Sequence, residues 1–229
     1  IQGMAWSADG RWLAYSLPTT SHLAQIMVLD TRSGEVHPVT DGEFKDTDPA
    51  FDPDGRFLYF ISYRHFDPVY GNLFFELSLN RGQRPCLVTL REDVESPFIA
   101  TPRPLSERDG DDEDDGDGEA DEEKGGEEKG GEEKGGEDKG GEGDALEIDL
   151  AGIAARVIAF PVPEGRYHQI AATSARVFYT VSAPSGALGD DDDEEAGTLR
   201  YWSLSKRKSK HFHDDVLAFE LGAGGKTLA

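Results

Sequence analysis

The sequence predicts an all-β chain of four-stranded antiparallel blades, as in a β-propeller, set in an incomplete ring and carrying a long disordered acidic insertion. Three observations predict it. AWSADGRWLAYS and AFDPDGRFLYF align without a gap, Ala5 with Ala50, Trp6 with Phe51, Asp9 with Asp54, Gly10 with Gly55, Arg11 with Arg56, Trp12 with Phe57 and Leu13 with Leu58. The spacing of the copies matches the roughly 40 to 45 residues of one blade. Between them, short apolar runs alternate with turn residues and no long helical period intervenes.

In each copy an aromatic residue opens a short apolar strand, an Asp-Gly pair follows three residues later, and a second apolar run comes straight after. Asp can bond its own backbone and Gly accepts a positive φ, so the chain reverses there and the two runs pair. The second run, RWLAYS or RFLYFIS, is nearly continuous in apolar character, as expected of a strand covered on both faces. AQIMVLD, Ala24 to Asp30, gives a third strand, Ser33 and Gly34 a turn, and HPVT the start of a fourth. Two weaker echoes follow. ATSARVFYTVS sets Arg176 where Arg11 stood, without an Asp-Gly pair, and GAGGKTLA sets Gly225 and Lys226 in register with Gly10 and Arg11. Since Ala229 then falls inside a second strand, the chain is expected to be a piece of something longer, with blades in 1–105 and 145–229.

Residues 106–144 contain no Leu, Ile, Val, Phe, Tyr, Trp or Met and repeat EEKGG at 122, 127 and 132. Ordering each residue costs about 1 to 2 kcal/mol of backbone entropy, and this tract has no apolar surface to offset it, so disorder is expected. Leu87 to Leu90 before it and Ala145 to Pro161 after it belong either to one enlarged blade or to two adjacent ones. A second acidic loop, DDDDEE at 190–195, joins two strands. Deleting 106–144 is expected to leave the melting temperature of the parent protein within a few degrees, which a thermal melt of the deletion variant checks.

Of the net charge of −23, residues 107–144 carry −15 and residues 190–195 carry −6, leaving −2 for everything else. A salt-adapted surface, or a field built to attract a cationic partner, would spread acids over the folded part instead. The single cysteine, Cys86, excludes an internal disulfide framework, fits a reducing compartment, and reads as a small buried side chain. No apolar run approaches the length needed to span a bilayer, so no membrane partner is expected.

The reaction centres that the composition allows are missing their parts. GAGGKT has Glu220 where a phosphate loop needs its first Gly, and there is no G-x-S-x-G, H-E-x-x-H or C-x-x-C. His211 and His213 alternate on one face of a strand before Asp214 and Asp215, which permits a weak metal site but fits a polar strand edge better. SKRKSK, Ser205 to Lys210, reads as an exposed hairpin turn rather than a nucleic-acid contact, since it lacks interleaved aromatics. The acidic tracts read as solvated charge, not as calcium loops. Tyr63, Arg64, His65, Phe66, Asp67, Pro68 and Tyr70 form the densest functional-looking cluster, at a rim of the ring where such folds bind. They either hold a peptide or brace a long loop, and bracing is the preferred reading. No catalytic, cofactor-binding or metal-binding residue is assigned, and no cofactor is expected.

FDPDGRFLYFISYRHFDPVYGNLFF, then RGQRPCLVTLR, then IDLAGIAARVIAFPVPEGRYHQI, resemble the propeller region of the tricorn protease family, most closely its second, seven-bladed propeller. The resemblance covers most of the chain outside the charged tracts. It implies a cytoplasmic serine endopeptidase that degrades peptides released by the proteasome or similar proteases, assembled as a homohexamer. Its nucleophile, base and oxyanion donors come from domains C-terminal to the propellers, with a PDZ domain between, so none is carried over onto this chain. The implied part for the propeller is a channel that admits peptides and excludes folded chains. Two alternatives stand beside this: a TolB-like or WD40-like interaction scaffold without a protease, and the propeller of a prolyl oligopeptidase-type hydrolase.

Overall fold

The computed structural model describes residues 2–65, 69–70, 77–78, 82–98, 145–182, 196–222, 225 and 227–229. Strands β1 (Gln2–Trp6), β2 (Trp12–Pro18), β3 (Ala24–Asp30) and β4 (Val36–Pro38) form the first antiparallel blade in that order. The second blade begins with β5 (Asp46–Phe51) and β6 (Phe57–Ser62). A small pair, β7 (Val69–Tyr70) and β8 (Leu77–Ser78), intervenes before β9 (Arg84–Thr89). Its outermost strand is β10 (Val157–Ala159), which pairs with β9 across the insertion. Strands β11 (Arg166–Ala172), β12 (Arg176–Ser182), β13 (Gly197–Ser203) and β14 (Lys208–Val216) make the third blade.

The pairing of β9 with β10 answers a question that the sequence leaves open: the segments on either side of the acidic insertion belong to one blade. The insertion departs from between the third and fourth strands. Its expected disorder, and that of the DDDDEE loop, lies outside the described residues. So do Phe66, Asp67 and Pro68 of the rim cluster.

The repeated turns fold as their sequence requires. Gly10, Gly55 and Gly225 take φ of 68°, 69° and 65°. Their amides donate to Ser7, Asp52 and Gly222 carbonyls, each at 2.9 Å. The third blade differs. Its turn closes from the Thr173 amide to the Arg176 carbonyl, where blades 1 and 2 close from Ser7 to Trp12 and from Asp52 to Phe57. Because that turn is shorter, Val177 stands opposite Ala172 as Leu13 stands opposite Trp6 and Leu58 opposite Phe51. Arg176 therefore occupies the place of Trp12, not of Arg11 as its sequence echo suggests. A one-residue slip exchanges the faces of a strand, and the Arg176 guanidinium lies 4.7 Å from the Tyr201 ring.

Face alternation builds the core. Trp12, Ala14, Ile26 and Val28 of blade 1 pack against Leu58, Phe60, Cys86 and Val88 of blade 2. The opposite face of blade 2, Phe57, Tyr59, Ile61 and Leu87, packs against Tyr167, Ile170, Val177 and Tyr179 of blade 3. On the far side of blade 3, Phe178 and Leu199 meet Phe219, while Leu221 bridges Leu228 in a further hairpin. Burial accounts for Cys86, whose thiol is pushed up to about 12. The segment from Leu146 to Arg156, which contains IDLAGI, latches blade 2 to blade 1. The Leu146 amide donates to Asp9 and its carbonyl accepts the Trp12 indole, at 2.8 and 2.9 Å. The Asp149 amide bonds the Leu90 carbonyl, and Arg156 bonds the carbonyls of Thr89, Ala151 and Asp149.

That latch separates two otherwise equivalent glycines. A Cβ on Gly10 meets nothing within 4 Å, whereas one on Gly55 stands 2.8 Å from Leu146 Cδ1. Gly10→Ala is expected to cost about 1 to 2 kcal/mol through its positive φ alone. Gly55→Ala is expected to cost about 1 kcal/mol more, because packed Leu146 must also move. Parallel denaturant titrations check the difference.

Candidate functional site at the inner strands

In a propeller the first strand of each blade faces the central channel, and here β1, β5 and β11 lie side by side. Each carries a bulge near its start. The register slips between Gln2 and Met4, between Thr47 and Ala50, and between Tyr167 and Ile170. The bulges set Gly3, Asp48 and His168 at matching positions. Gly3, at φ 62°, allows blade 2 to approach, since a Cβ there would stand 3.0 Å from Asp48 Cα. A bulge leaves one residue out of the ladder and re-aims its side chain.

A serine of the second strand of each blade, the last residue of β6 and β12 but the third from the end of β2, bonds a bulged first strand. Ser16 donates to the Asp46 carbonyl of the next blade at 2.7 Å, and Ser62 donates to the Asp46 carboxylate. Ser182 and His168 Nε2 are 2.6 Å apart. Taken alone, the last pair has the spacing of a nucleophile and its base. Ser182 is buried and its hydroxyl is taken up by the first strand of its own blade, as that of Ser62 is, so the pair reads as a brace.

Arg64 completes the brace in blade 2. Its guanidinium meets both Asp46 oxygens at 3.1 and 3.0 Å and donates to Ser62 Oγ at 2.7 Å. It also lies 5.0 Å from the Phe44 ring and 5.6 Å from the Phe60 ring. The bracing reading of the rim cluster thus describes Arg64. His65 is partly buried, its Nε2 makes no hydrogen bond among the described residues, and burial and the neighbouring Arg84 and Arg64 hold it below the usual histidine range. Tyr63 differs from both, being 41% exposed with Lys45 Nζ 5.3 Å from its ring centre.

Around Tyr63 four elements converge. Its amide donates to the Lys45 carbonyl at 3.0 Å, and the amide of Ala24 in blade 1 donates to Phe44 at 3.1 Å. Gln83 accepts the Tyr167 amide on its side chain at 2.7 Å and the Gly165 amide on its carbonyl at 3.1 Å. Arg166 lies close enough to Tyr63 to counter the rise that burial and Asp48 impose on the phenol. Sequence reasoning found Tyr63 but missed Lys45, Asp48, Arg166 and His168, which come together only when blades 2 and 3 pack.

Asp48 is raised above the usual carboxylate range by burial, against the pull of its bond with Thr47 and the charges of His168 and Lys45. A carboxyl with a higher pKa folded than unfolded loses stability as pH rises through the folded value. Asp48→Asn is therefore expected to stabilise at pH 7, with the gain vanishing below the unfolded carboxylate pKa of about 4. Asn also tolerates the φ of 53° found there. Melts at pH 7 and pH 3.5 check the sign.

At the third blade's outer edge, a register shift makes His211 oppose Arg200 and His213 oppose Leu199. His211 pairs with Asp214 at 3.1 Å. Among the described residues no group of three His, Cys, Asp or Glu side chains could hold a metal ion. SKRKSK runs through the turn between β13 and β14, where the Arg207 amide closes on Ser203 at 2.8 Å. No helix among the described residues is long and apolar enough to cross a membrane.

Three packed four-stranded antiparallel sheets, joined through bulged inner strands, define a segment of β-propeller. The chain belongs to the family of the tricorn protease second beta propeller domain, whose model matches residues 1–229. It is 32% identical over 231 residues to tricorn protease homolog 1 of Streptomyces coelicolor, covering 99% of this chain and 20% of that protein. It is 28% identical over 218 residues to a tricorn protease homolog of Saccharolobus solfataricus, covering 95% of this chain and 17% of the relative. The crystal structure of the tricorn protease superposes with a TM-score of 0.72 at 20% identity, over 99% of this chain and 19% of that one. The chain thus spans about a fifth of the length of the relatives it matches.

Proposed function

We propose that this chain is a non-catalytic propeller segment of a larger cytoplasmic serine endopeptidase of tricorn type. Its inner strands line part of a channel that passes peptides and excludes folded proteins. The parent degrades peptides released by the proteasome or similar proteases, as a homohexamer whose PDZ and protease domains follow the propellers. The nucleophile and base belong to those domains, and no catalytic, cofactor or metal role falls to this chain. The acidic stretches 106–144 and 190–195 are insertions between blade strands, outside this function. The supporting observation is the match of the whole chain to the second propeller within much longer relatives.

Two measurements test this. The purified 229-residue chain is expected to cleave no peptide, while the full-length parent cleaves peptides until its downstream serine is replaced. In the parent, His168→Cys alkylated with a bulky maleimide is expected to slow long peptides more than short ones, because the exposed side chain stands at the inner strand. Peptidase activity in the isolated chain, or equal slowing of all lengths, overturns the reading.

A further inference from the structure

Blade 3 departs from blade 2 at equivalent positions of one face. Cross-strand partners share a face of a sheet, so the rows Phe178–Tyr201–Lys210 and Arg176–Ser203–Lys208 both run outward on the face turned away from blade 2. Blade 2 carries Tyr59–Leu87–Ile158 where the first row stands, and Phe57 where Arg176 stands. There the row is apolar to its end and packs into the seam with blade 3. In blade 3 the rows end in cations. The inner half of this face is already covered. The Gln169 amide donates to the Phe219 carbonyl at 2.7 Å and its side-chain oxygen accepts from the Phe219 amide at 3.0 Å. Leu221 and Leu228, bridged as Trp6 and Leu13 are paired in blade 1, pack with Phe219 over Phe178 and Leu199. A further blade thus starts on blade 3 as blade 3 starts on blade 2. The outer half is bare. Arg176, Lys208 and Lys210 are exposed, Phe212 is 45% exposed, and no carboxylate pairs with the three cations among the described residues. Asp214 of the same strand is taken up by His211 and Thr198, at 3.1 Å each.

We propose that this outer face docks the strands that complete the blade begun at Phe219, and that those strands bring carboxylates to Arg176, Lys208 and Lys210. The seam after blade 3 is then closed by ion pairs, where the seam before it is closed by apolar packing. Continuity with the cover over Phe178 and Leu199 fixes what comes next to the outer half, and the cations fix its chemistry. An apolar neighbour would strip water from three charges and return no partner, a cost that keeps such groups either solvated or paired. Arg176 is already placed for a carboxylate. Its guanidinium lies over the Tyr201 ring, 4.7 Å from the centre, which leaves its N–H groups for an acceptor that can take two of them in parallel. Lys208 and Lys210, two residues apart on one strand, stand on the same side of the sheet. Phe212 is bulged out of the ladder between the partners of Leu199 and Arg200, and its ring stands 5.7 Å from that of Phe178 and 6.3 Å from that of Tyr201. It gives the docked strands an apolar stop beside the charges.

This docking rests on the propeller reading above, and the test keeps the two apart. In the full-length parent, acylation of lysines by an N-hydroxysuccinimide ester is followed by mass spectrometry, with exposed Lys206 of the neighbouring turn as the reference. Lys208 and Lys210 are expected to react about tenfold more slowly than Lys206, as groups released only by local opening. Backbone hydrogen exchange over 219–229 then reads the seam in three variants of the parent. Lys208→Leu/Lys210→Leu is expected to speed exchange there about tenfold, and Lys208→Arg/Lys210→Arg, which keeps both charges, to leave it within about twofold. Lys206→Leu is expected to leave it unchanged. Slower exchange in the double Leu variant marks an apolar occupant and overturns the ion pairs. Equal acylation of the three lysines, or exchange that none of the variants moves, overturns the docking altogether. None of these failures touches the channel reading, which stands so long as the alkylated His168→Cys parent slows long peptides more than short ones. Loss of that length dependence while Lys208 and Lys210 stay protected supports the docking and refutes the channel instead.

Discussion

Arg64→Met is expected to destabilise the propeller by about 3 to 5 kcal/mol, the cost of leaving a buried charge without its partner. The Asp46 side chain is fully buried and that of Arg64 only 17% exposed. Asp46 accepts from Ser62 and Arg64, and its backbone carbonyl accepts from Ser16 across the blade interface. Removing the guanidinium leaves the carboxylate with one hydroxyl donor in a site lined by Phe44 and Phe60. Methionine fills part of the volume and supplies no proton. Denaturant unfolding followed by the fluorescence of Trp12 and Trp202 measures the loss. Adding Asp46→Asn to Arg64→Met removes the stranded charge and is expected to recover much of it. A loss below about 1 kcal/mol in the single variant would place the pair with ordinary surface bridges.

The blades were legible where the repeat is local. Asp-Gly turns, a dense second strand and the third strand Ala24–Asp30 follow from residues close in sequence, and the structure places them as expected. The third blade was legible in kind and one residue out in register, because the shorter turn at Thr173 leaves no Asp-Gly marker. Whether the insertion split one blade or divided two depended on the partner of Val157–Ala159. Pairing across a long insertion leaves no periodic trace. The rim was the least legible part. Arg64 was visible beside Tyr63, but its partner Asp46 and the cations Lys45 and Arg166 arrive from other strands. Lone Lys, Asp and Arg residues in strand sequences read as solvent-facing until packing shows what they face.

The fairly specific VIAFPVPEGRY stretch has a packing role that leads to the second large effect. Phe160 follows β10 and is fully buried, its amide bonded to Pro85 at 2.9 Å. Its ring meets Phe98 at 4.8 Å and Tyr59 and Trp202 at 6.0 Å, all edge to face. It thus plugs the seam between blades 2 and 3, where among the described residues only the isolated bridge of Gln83 with Gly165 joins their backbones. Phe160→Ala is expected to cost about 3 to 5 kcal/mol, through lost transfer energy and a cavity that the stiff sheets on either side cannot close. Phe160→Leu keeps much of the volume and is expected to cost about half as much or less. Trp202 reports the site directly. In Phe160→Ala its emission should shift to the red before global unfolding, as water reaches the seam, while Trp12 in the other seam stays unchanged. A variant that loses stability with no early change at Trp202 would mean that the two blades are held chiefly by contacts elsewhere along β11.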